Sequence, residues 1–322
     1  MASSNKLDLI NIKKYLSQKN IKVGSFLPFN SDASDKVFKV CQTANQKILM
    51  LSFHNKPSEY QKYVRATEVL VNQNVDTPEI IDQSSHHKCV VMDYFPIANA
   101  AIYYKKDHQK NILSQAVKSL VKLQAPRKKF SGIPLKPIAN LIKDASRGVE
   151  TYIEHYEHKL QIGYYLNRLI QLSIKKNFTS LAKYKPTLTH GDYFLDNFIY
   201  YQGFLYVIDH QDLHYNHPHL DIASLIFDAR RQYSAATEEK LILNYARLQK
   251  KSVQETKESI HLVSLARNMR ILGNWVQLHN KGKTLYLKKY RKTTWAQILK
   301  HVNELRLWDL REIFQEIIKK TT

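Results

Sequence analysis

The sequence predicts an α+β protein with a small, strand-rich N-terminal lobe and a larger, mainly helical C-terminal lobe. Three observations carry this expectation. Short β-branched and aromatic runs crowd the first hundred residues, apolar positions recur at helical spacing beyond Lys105, and one compact hairpin pattern interrupts the helices near residue 200. The chain has 322 residues, 43% of them hydrophobic and 24% charged, enough for a sizeable core in one or two domains.

Taken in order, Phe26–Phe29, Lys36–Val40, Lys47–Phe53 and Cys89–Met92 are strand candidates. Between the last two, Tyr60, Tyr63, Val64, Thr67, Leu70 and Val71 recur at helical spacing and predict a helix over 58–72. Asp93-Tyr94-Phe95-Pro96 closes this part, so residues 1–95 are expected as one lobe and 97–322 as the other, with a hinge near 92–96. Ile112, Leu113, Ala116, Val117, Leu120 and Leu123 mark an amphipathic helix, and 138–174 holds two more. Phe198–Tyr201 and Phe204–Ile208, joined at Gln202-Gly203, read as a β-hairpin. An apolar run at Ser224–Phe227 and helices around 238–249, 259–279 and 294–319 complete the chain, without internal repeats.

Composition removes several classes of protein. No apolar run approaches the roughly 18 residues of a membrane span, and no apolar signal segment follows Met1–Lys6. Cys41 and Cys89 are too few for a disulfide framework; both are expected as buried small hydrophobes, and the compartment as the cytoplasm. The formal charge of +21 suits a polyanionic partner, but no nucleic-acid motif surrounds the clusters at 127–129, 288–292 and 319–320. Lysine-rich solvated faces are therefore the expectation, with no specific nucleic acid, and the sequence is silent on oligomeric state.

The chemistry concentrates in Thr189-His190-Gly191-Asp192-Tyr193-Phe194-Leu195-Asp196-Asn197, followed by Val207-Ile208-Asp209. Transfer of a phosphoryl group from ATP asks little covalent work of a protein. It needs a carboxylate to orient and deprotonate the attacking hydroxyl, and an Asn and a second carboxylate to hold the Mg2+ that bridges the phosphates. Asp192 fits the first role, Asn197 and Asp209 the second. An antiparallel hairpin would bring Asn197 and Asp209 to one end. In the strand-rich lobe, Met92 and Asp93 at the hinge would offer backbone groups to adenine. The rival chemistry is metal-dependent hydrolysis, with zinc or iron held among His190, Asp192, His210, Asp212, His214, His217 and His219; no His-Glu-x-x-His or Cys-x-x-Cys pattern anchors it.

Four stretches carry a family resemblance: Ser31–Ser34 with Val37–Lys39; Tyr63–Glu68 through Val75–Ile80; His190–Asn197 with Val207–Asp212; and Arg267–Gly273 through Gly282–Tyr286. They resemble the aminoglycoside phosphotransferase and choline kinase superfamily. Within it, the chain is most similar to the anomeric sugar kinases that phosphorylate N-acetylmuramate and N-acetylglucosamine at C1 during peptidoglycan recycling. The resemblance implies a protein-kinase-like bilobal fold, ATP and Mg2+ as cofactors, and a small-molecule sugar as acceptor. It makes Asp192 the base, Asn197 and Asp209 the metal ligands, His190 a brace for the catalytic loop and Asp221 a structural aspartate holding that loop through backbone hydrogen bonds. Asp212 either assists at magnesium or the sugar, or caps a turn.

The chain departs from the wider kinase pattern in the first lobe. Gly24 is the only glycine before Gly132, so Ser31–Ser34 would cover the phosphates, with Ser34 as a hydroxyl donor. No lysine stands in Ile48–Ser52. Lys39 or Lys36 would replace it, oriented by Glu68, and alternation lets only one of the two face the cleft. These departures keep a catalytically silent relative in view.

Arg267, Arg270 and Asn274 share one helical face opposite a stripe of Leu262, Leu265, Met269, Leu272 and Val276. A paired guanidinium face suits a carboxylate, such as the lactyl group of N-acetylmuramate, or is simply solvated. The basic charge disfavours aminoglycosides and choline as acceptors, unless acidic pockets at Asp209, Asp212 and Asp228 override it.

Overall fold

The structure of the protein, a computed structural model, describes residues 13–21, 25–28, 37–43, 47–53, 56–96, 99–104, 109–125, 129–161 and 163–321. Two compact units divide the chain: Met1–Asp107 with Asp196–Asp212, and His108–Leu195 with Leu213–Thr322.

The first unit is built on an antiparallel sheet of five strands, β1 (Ser25–Pro28), β2 (Val37–Gln42), β3 (Lys47–Ser52), β4 (Ile80–Ser84) and β5 (Cys89–Asp93), in the order β1-β2-β3-β5-β4. Alternation gives the sheet two apolar faces. Cys41, Ile48, Met50, Cys89 and Val91 meet Tyr15 and Leu16 of the helical residues 13–18, while Leu51, Val90, Met92 and Phe53 meet Tyr60 and Tyr63 of the helix Pro57–Asn72. Both cysteines are free and buried, as expected; burial pushes the thiols up to about 12 and about 11. β4 went unmarked in the sequence because its Ile-Ile-Asp-Gln-Ser run alternates half-buried with exposed residues at a sheet edge. The hairpin of Phe198–Tyr201 and Phe204–Val207 joins this unit: Val207 N–H donates to the Asp76 carbonyl at 2.8 Å, and the Thr77 hydroxyl donates to the Val207 carbonyl at 2.8 Å.

The second unit is helical, apart from two short strands, Thr187–Thr189 and His214–Asn216, that pair with each other. Its axis is the helix Val253–Asn280, buried on almost every side from Thr256 to Val276. The helix Ile138–His155 crosses it where Gly148 and Gly273 bring backbone onto backbone: a Cβ on Gly273 would lie 2.6 Å from the Gly148 Cα. The continuous helix expected over 294–319 is two helices, Leu285–Glu304 and Trp308–Thr321. Between them Arg306 takes φ 55°, Leu307 N–H reaches back to the Val302 carbonyl and Arg306 N–H to that of Asn303, a Schellman ending without its usual glycine. No described helix is long and apolar enough to cross a membrane.

Candidate active site

The loop 190–195 lies in the second unit, and its sequence explains its shape. After the strand Thr187–Thr189 the chain turns at Gly191, at φ 94°, where a Cβ would stand 2.9 Å from Cε1 of His214. Only glycine satisfies both conditions without strain. Asp221, fully buried at the start of the helix Leu220–Ile226, accepts the His190 N–H at 2.6 Å and the Gly191 N–H at 2.9 Å. Burial pushes its carboxyl up to about 6, against the pull of His190 and those two donors. This is the loop-holding role the resemblance implies for Asp221. His190 is buried and its Nδ1 accepts the Asp192 N–H at 3.3 Å, which places any ring proton of the neutral form on Nε2. Asp192 itself is exposed. Its neighbour Tyr193 is buried and donates its hydroxyl to the Ala116 carbonyl at 2.8 Å, rooting the loop in the helix Gln109–Leu123.

In the first unit, the hairpin register pairs Phe198 with Val207, and the Ile208 N–H donates to the Asn197 carbonyl at 3.1 Å. Asn197 and Asp209 therefore stand at the same hairpin end. Asp209 is exposed at φ 60°, a conformation that costs on the order of 1 kcal/mol outside glycine and is held by anchors on both sides. Val207 is tied to Asp76 and Thr77, and buried His210 bonds Thr67 Oγ1 through Nε2 at 2.7 Å while its ring lies 4.6 Å from that of Tyr63. Burial, and then the charge of Asp209, raise the Tyr63 phenol well above its ordinary value. The Asp209 Oδ1 accepts from Gln211 Nε2 at 3.1 Å. Oxygen donors from an amide and a carboxylate fit a hard divalent cation such as Mg2+. Asp212 is exposed in the turn that follows.

The nucleotide-side expectations fare unevenly. Ser34 and Lys36 lie outside the described residues. Lys39 is half-buried and pairs across the sheet with Met50, which sets it on the face of Cys41 and Tyr15. Helix Pro57–Asn72 packs on the other face, and there Glu68 is exposed and bonded to Arg65 at 2.8 Å. The Lys39–Glu68 pair expected from the sequence is not formed. At the expected hinge, Met92 is buried and its sulfur accepts the Tyr63 hydroxyl at 3.6 Å; Asp93 exchanges two hydrogen bonds with Glu79, its N–H donating to the Glu79 carbonyl and its carboxylate accepting the Glu79 N–H.

The arginine helix corrects the sequence reading. Arg267 is not on a solvated face: it is 3% exposed, whereas Arg270 is half-buried and Asn274 exposed. Nor is Asp228 an acidic pocket. The residue is 1% exposed, and its carboxylate accepts from Arg230 Nε at 2.9 Å, Arg230 Nη2 at 3.3 Å and Arg231 Nη1 at 2.8 Å. Burial alone would raise this carboxyl, but Arg230, Arg267 and Arg231 hold it below the usual range. The Arg230 guanidinium also lies 3.8 Å over the ring of Phe194 in the loop 190–195. The sequence reading passed over Arg230 and Arg231; the Asp-Ala-Arg-Arg string at 228–231 was the available signal.

The histidines are occupied in packing. His219 Nδ1 bonds Ser259 Oγ at 2.7 Å, His217 Nδ1 accepts the His219 N–H at 3.1 Å, and His214 Nε2 meets Asn216 at 3.3 Å. Among the described residues no group of three or more His, Cys, Asp or Glu is placed to hold a metal, so the zinc or iron ligand set of the hydrolase reading does not assemble.

The sheet-bearing first unit and helical second unit are those of a kinase-like fold, and solved structures agree. The choline kinase LicA from Streptococcus pneumoniae matches with a TM-score of 0.60 at 17% identity over 88% of this chain and 97% of that one. A choline/ethanolamine kinase family protein from Mesorhizobium loti matches with a TM-score of 0.60 at 12% identity over 90% and 93%. The ADP-bound aminoglycoside phosphotransferase APH(2'')-Ib matches with a TM-score of 0.60 at 16% identity over 88% and 98%. At such identities the likeness is one of fold. Residues 25–255 match the phosphotransferase enzyme family, and the chain belongs to it. No curated protein matches the sequence.

Proposed function

We propose that this phosphotransferase is an ATP-dependent, cytoplasmic kinase of a small-molecule alcohol, and that its acceptor is the anomeric hydroxyl of N-acetylmuramate or N-acetylglucosamine. The observation that carries the kinase reading is the loop 190–195, where Asp221 and His190 fix the backbone on either side of an exposed Asp192. Held in this way, Asp192 aligns the hydroxyl and takes its proton as the oxygen attacks the γ-phosphorus and the bond to the β–γ bridging oxygen breaks, releasing ADP. Asn197 and Asp209 would hold Mg2+, which when bound neutralises charge on the phosphates. Residues 1–95 are assigned to the nucleotide, with Ser34 and one of Lys36 and Lys39 toward its phosphates and Met92 and Asp93 toward its base; Glu68, on the sheet face opposite Lys39, would serve there only apart from that lysine and after leaving Arg65. Asp212 is assigned to a sugar hydroxyl. The sugar rests on the motif resemblance described above, chiefly Asp-Ala-Ser at 32–34, Ile-Asp-His-Gln-Asp at 208–212 and Arg267–Gly273.

An aminoglycoside or choline acceptor is the second reading, favoured by the names of the similar structures. The test is Mg2+-dependent ATP turnover against N-acetylmuramate, N-acetylglucosamine, kanamycin and choline, with phosphorus NMR of the product. A glycosyl 1-phosphate signal is expected. Turnover with kanamycin or choline alone would replace the sugar, and silence on all four would turn attention to a catalytically silent relative. Asp192→Asn should lower kcat by at least about a hundredfold with nucleotide affinity retained. Full activity in that variant would remove the base assignment.

A further inference from the structure

Arg267 is an unusual residue to bury. The residue is 3% exposed, yet its guanidinium Nε and Nη1 have no hydrogen-bond partner. Asp228, the carboxylate nearest to hand, is already occupied by Arg230 and Arg231. Burial pulls the Arg267 pKa down to about 10; Asp228 and Asp192 oppose that shift, Arg270 and Arg230 add to it, and the side chain remains a cation at neutral pH. Arg267 and its surroundings, Arg270, Arg230 and Arg231, therefore set four guanidinium groups against two carboxylates, one of them the candidate base. A buried cation with unmet donors is costly unless a ligand meets them.

One helical turn on, Arg270 also has a buried Nε without a partner, and it lines a cavity of about 260 Å³ with Asp144, Arg147, Thr151, Asn274 and Gln277. Gly148 and Gly273, at the close crossing of the two helices, also line it. Two arginines and three neutral hydrogen-bonding side chains against a single acid make this a site for a small anion, whose planar or tetrahedral oxygens the guanidinium forks match.

We propose that Arg267, Arg270 and this cavity form a subsite for an anionic group on the acceptor, so that the molecule phosphorylated is an alcohol carrying a carboxylate or a phosphate. The proposal rests on the reading above for Asp192 as the reacting end; anion binding itself does not require it. It assigns the acceptor the opposite charge to choline and the aminoglycosides.

The test is calorimetric titration without nucleotide, using matched acid and neutral probes: N-acetylmuramate and its methyl ester, glucuronate and its methyl ester, and glucose 6-phosphate and glucose. The charged member of at least one pair should bind at least about tenfold more tightly, and which pair responds distinguishes carboxylate from phosphate. Arg270→Gln should abolish the preference, and Arg267→Lys, which keeps the charge but loses the fork, should weaken it. Thermal melts confirm that both variants fold; Arg270, being half-buried, keeps the test available if the Arg267 variant does not. No charge preference in any pair, a preference surviving both variants, or tighter binding of kanamycin or choline would each overturn the subsite. Turnover assays run alongside separate the two claims. Anion preference without phosphate transfer would sink the kinase reading alone, and transfer to a neutral or cationic acceptor without anion preference would sink the subsite alone.

Discussion

At the scale of single residues, the loop 190–195 owes its form to one buried carboxylate. Asp221 accepts two consecutive backbone N–H groups, so replacing one of its oxygens by an NH2 sets donor against donor. Asp221→Asn should lower stability by about 1–3 kcal/mol, read by urea denaturation, and reduce kcat through loss of loop geometry. An unchanged midpoint would show that the loop is held elsewhere. The residues of this region were legible because the chemistry needs particular side chains at short spacing: His190, Asp192, Asn197 and Asp209 stand out from the string alone. Arg267 stood out as a candidate but its burial did not, because a helical period shows which residues share a face but not whether a second helix covers that face. Lys39 fails as a partner for Glu68 for a similar reason: residue type and alternation do not tell which sheet face the helix will cover, and the register places them on opposite faces.

Among the secondary-structure elements, helices with sustained apolar periodicity were found where the sequence put them, within a few residues, while the glycine-free ending at Arg306 was missed. The same Schellman closure ends the helices at Asn74, Lys250, Gly282 and Arg306, with φ of 56°, 54°, 82° and 55°. A chain with eight glycines places asparagine, lysine and arginine where glycine is usual, and at Arg306 the stop signal vanishes from the string. Lys250→Gly and Arg306→Gly should therefore each raise stability by about 1 kcal/mol, and Gly282→Ala should lower it by a similar amount. A loss in both glycine variants would disprove the strain argument. The crossing of helices 138–155 and 253–280 gives a sharper sign test. Gly→Ala within a helix ordinarily gains about 1 kcal/mol. At Gly273 the new Cβ would meet the Gly148 Cα at 2.6 Å and its carbonyl oxygen at 2.8 Å, backbone that has no rotamer by which to yield. Gly273→Ala should instead cost about 1–3 kcal/mol, seen as a lowered thermal midpoint.

At the scale of the whole molecule, the largest electrostatic liability is a set of buried neutral histidines in the second unit. Burial lowers His217 to about 2 and His219 and His261 to about 4, and His301 falls well below its ordinary value. His261 and His301 face each other, Nδ1 to Nδ1, at 3.0 Å, a contact that one proton can bridge only if one ring accepts. Each folded pKa lies below that of the unfolded chain, near 6.5, so each imidazole contributes stability that is fully present above that value. The contribution is lost as pH falls toward the folded pKa, because only the unfolded chain takes up the proton. Asp221 works in the other direction: its carboxyl, raised to about 6, binds a proton in the folded state that the unfolded chain binds only near 3.8, so its contribution is present at low pH and lost as pH rises through 6. Four protons taken up by the unfolded chain, less one by the folded, leave about three between pH 6 and pH 4. At about 1.4 kcal/mol per proton per pH unit, an upper bound once the relaxation of buried sites is allowed for, stability falls by several kcal/mol per unit. That is a sizeable part of the 5–15 kcal/mol a domain usually has, so the unit should lose stability well above the range where carboxylate protonation alone acts. Urea midpoints measured from pH 7.5 to 5 should fall steeply below pH 6.5, and His219→Gln, which keeps a hydrogen-bonding group toward Ser259 but cannot take up the proton, should flatten the slope by about one proton. A stability flat from pH 7 to pH 5 would mean that these imidazoles are protonated in the fold, and would overturn the assignment of all four as neutral packing groups.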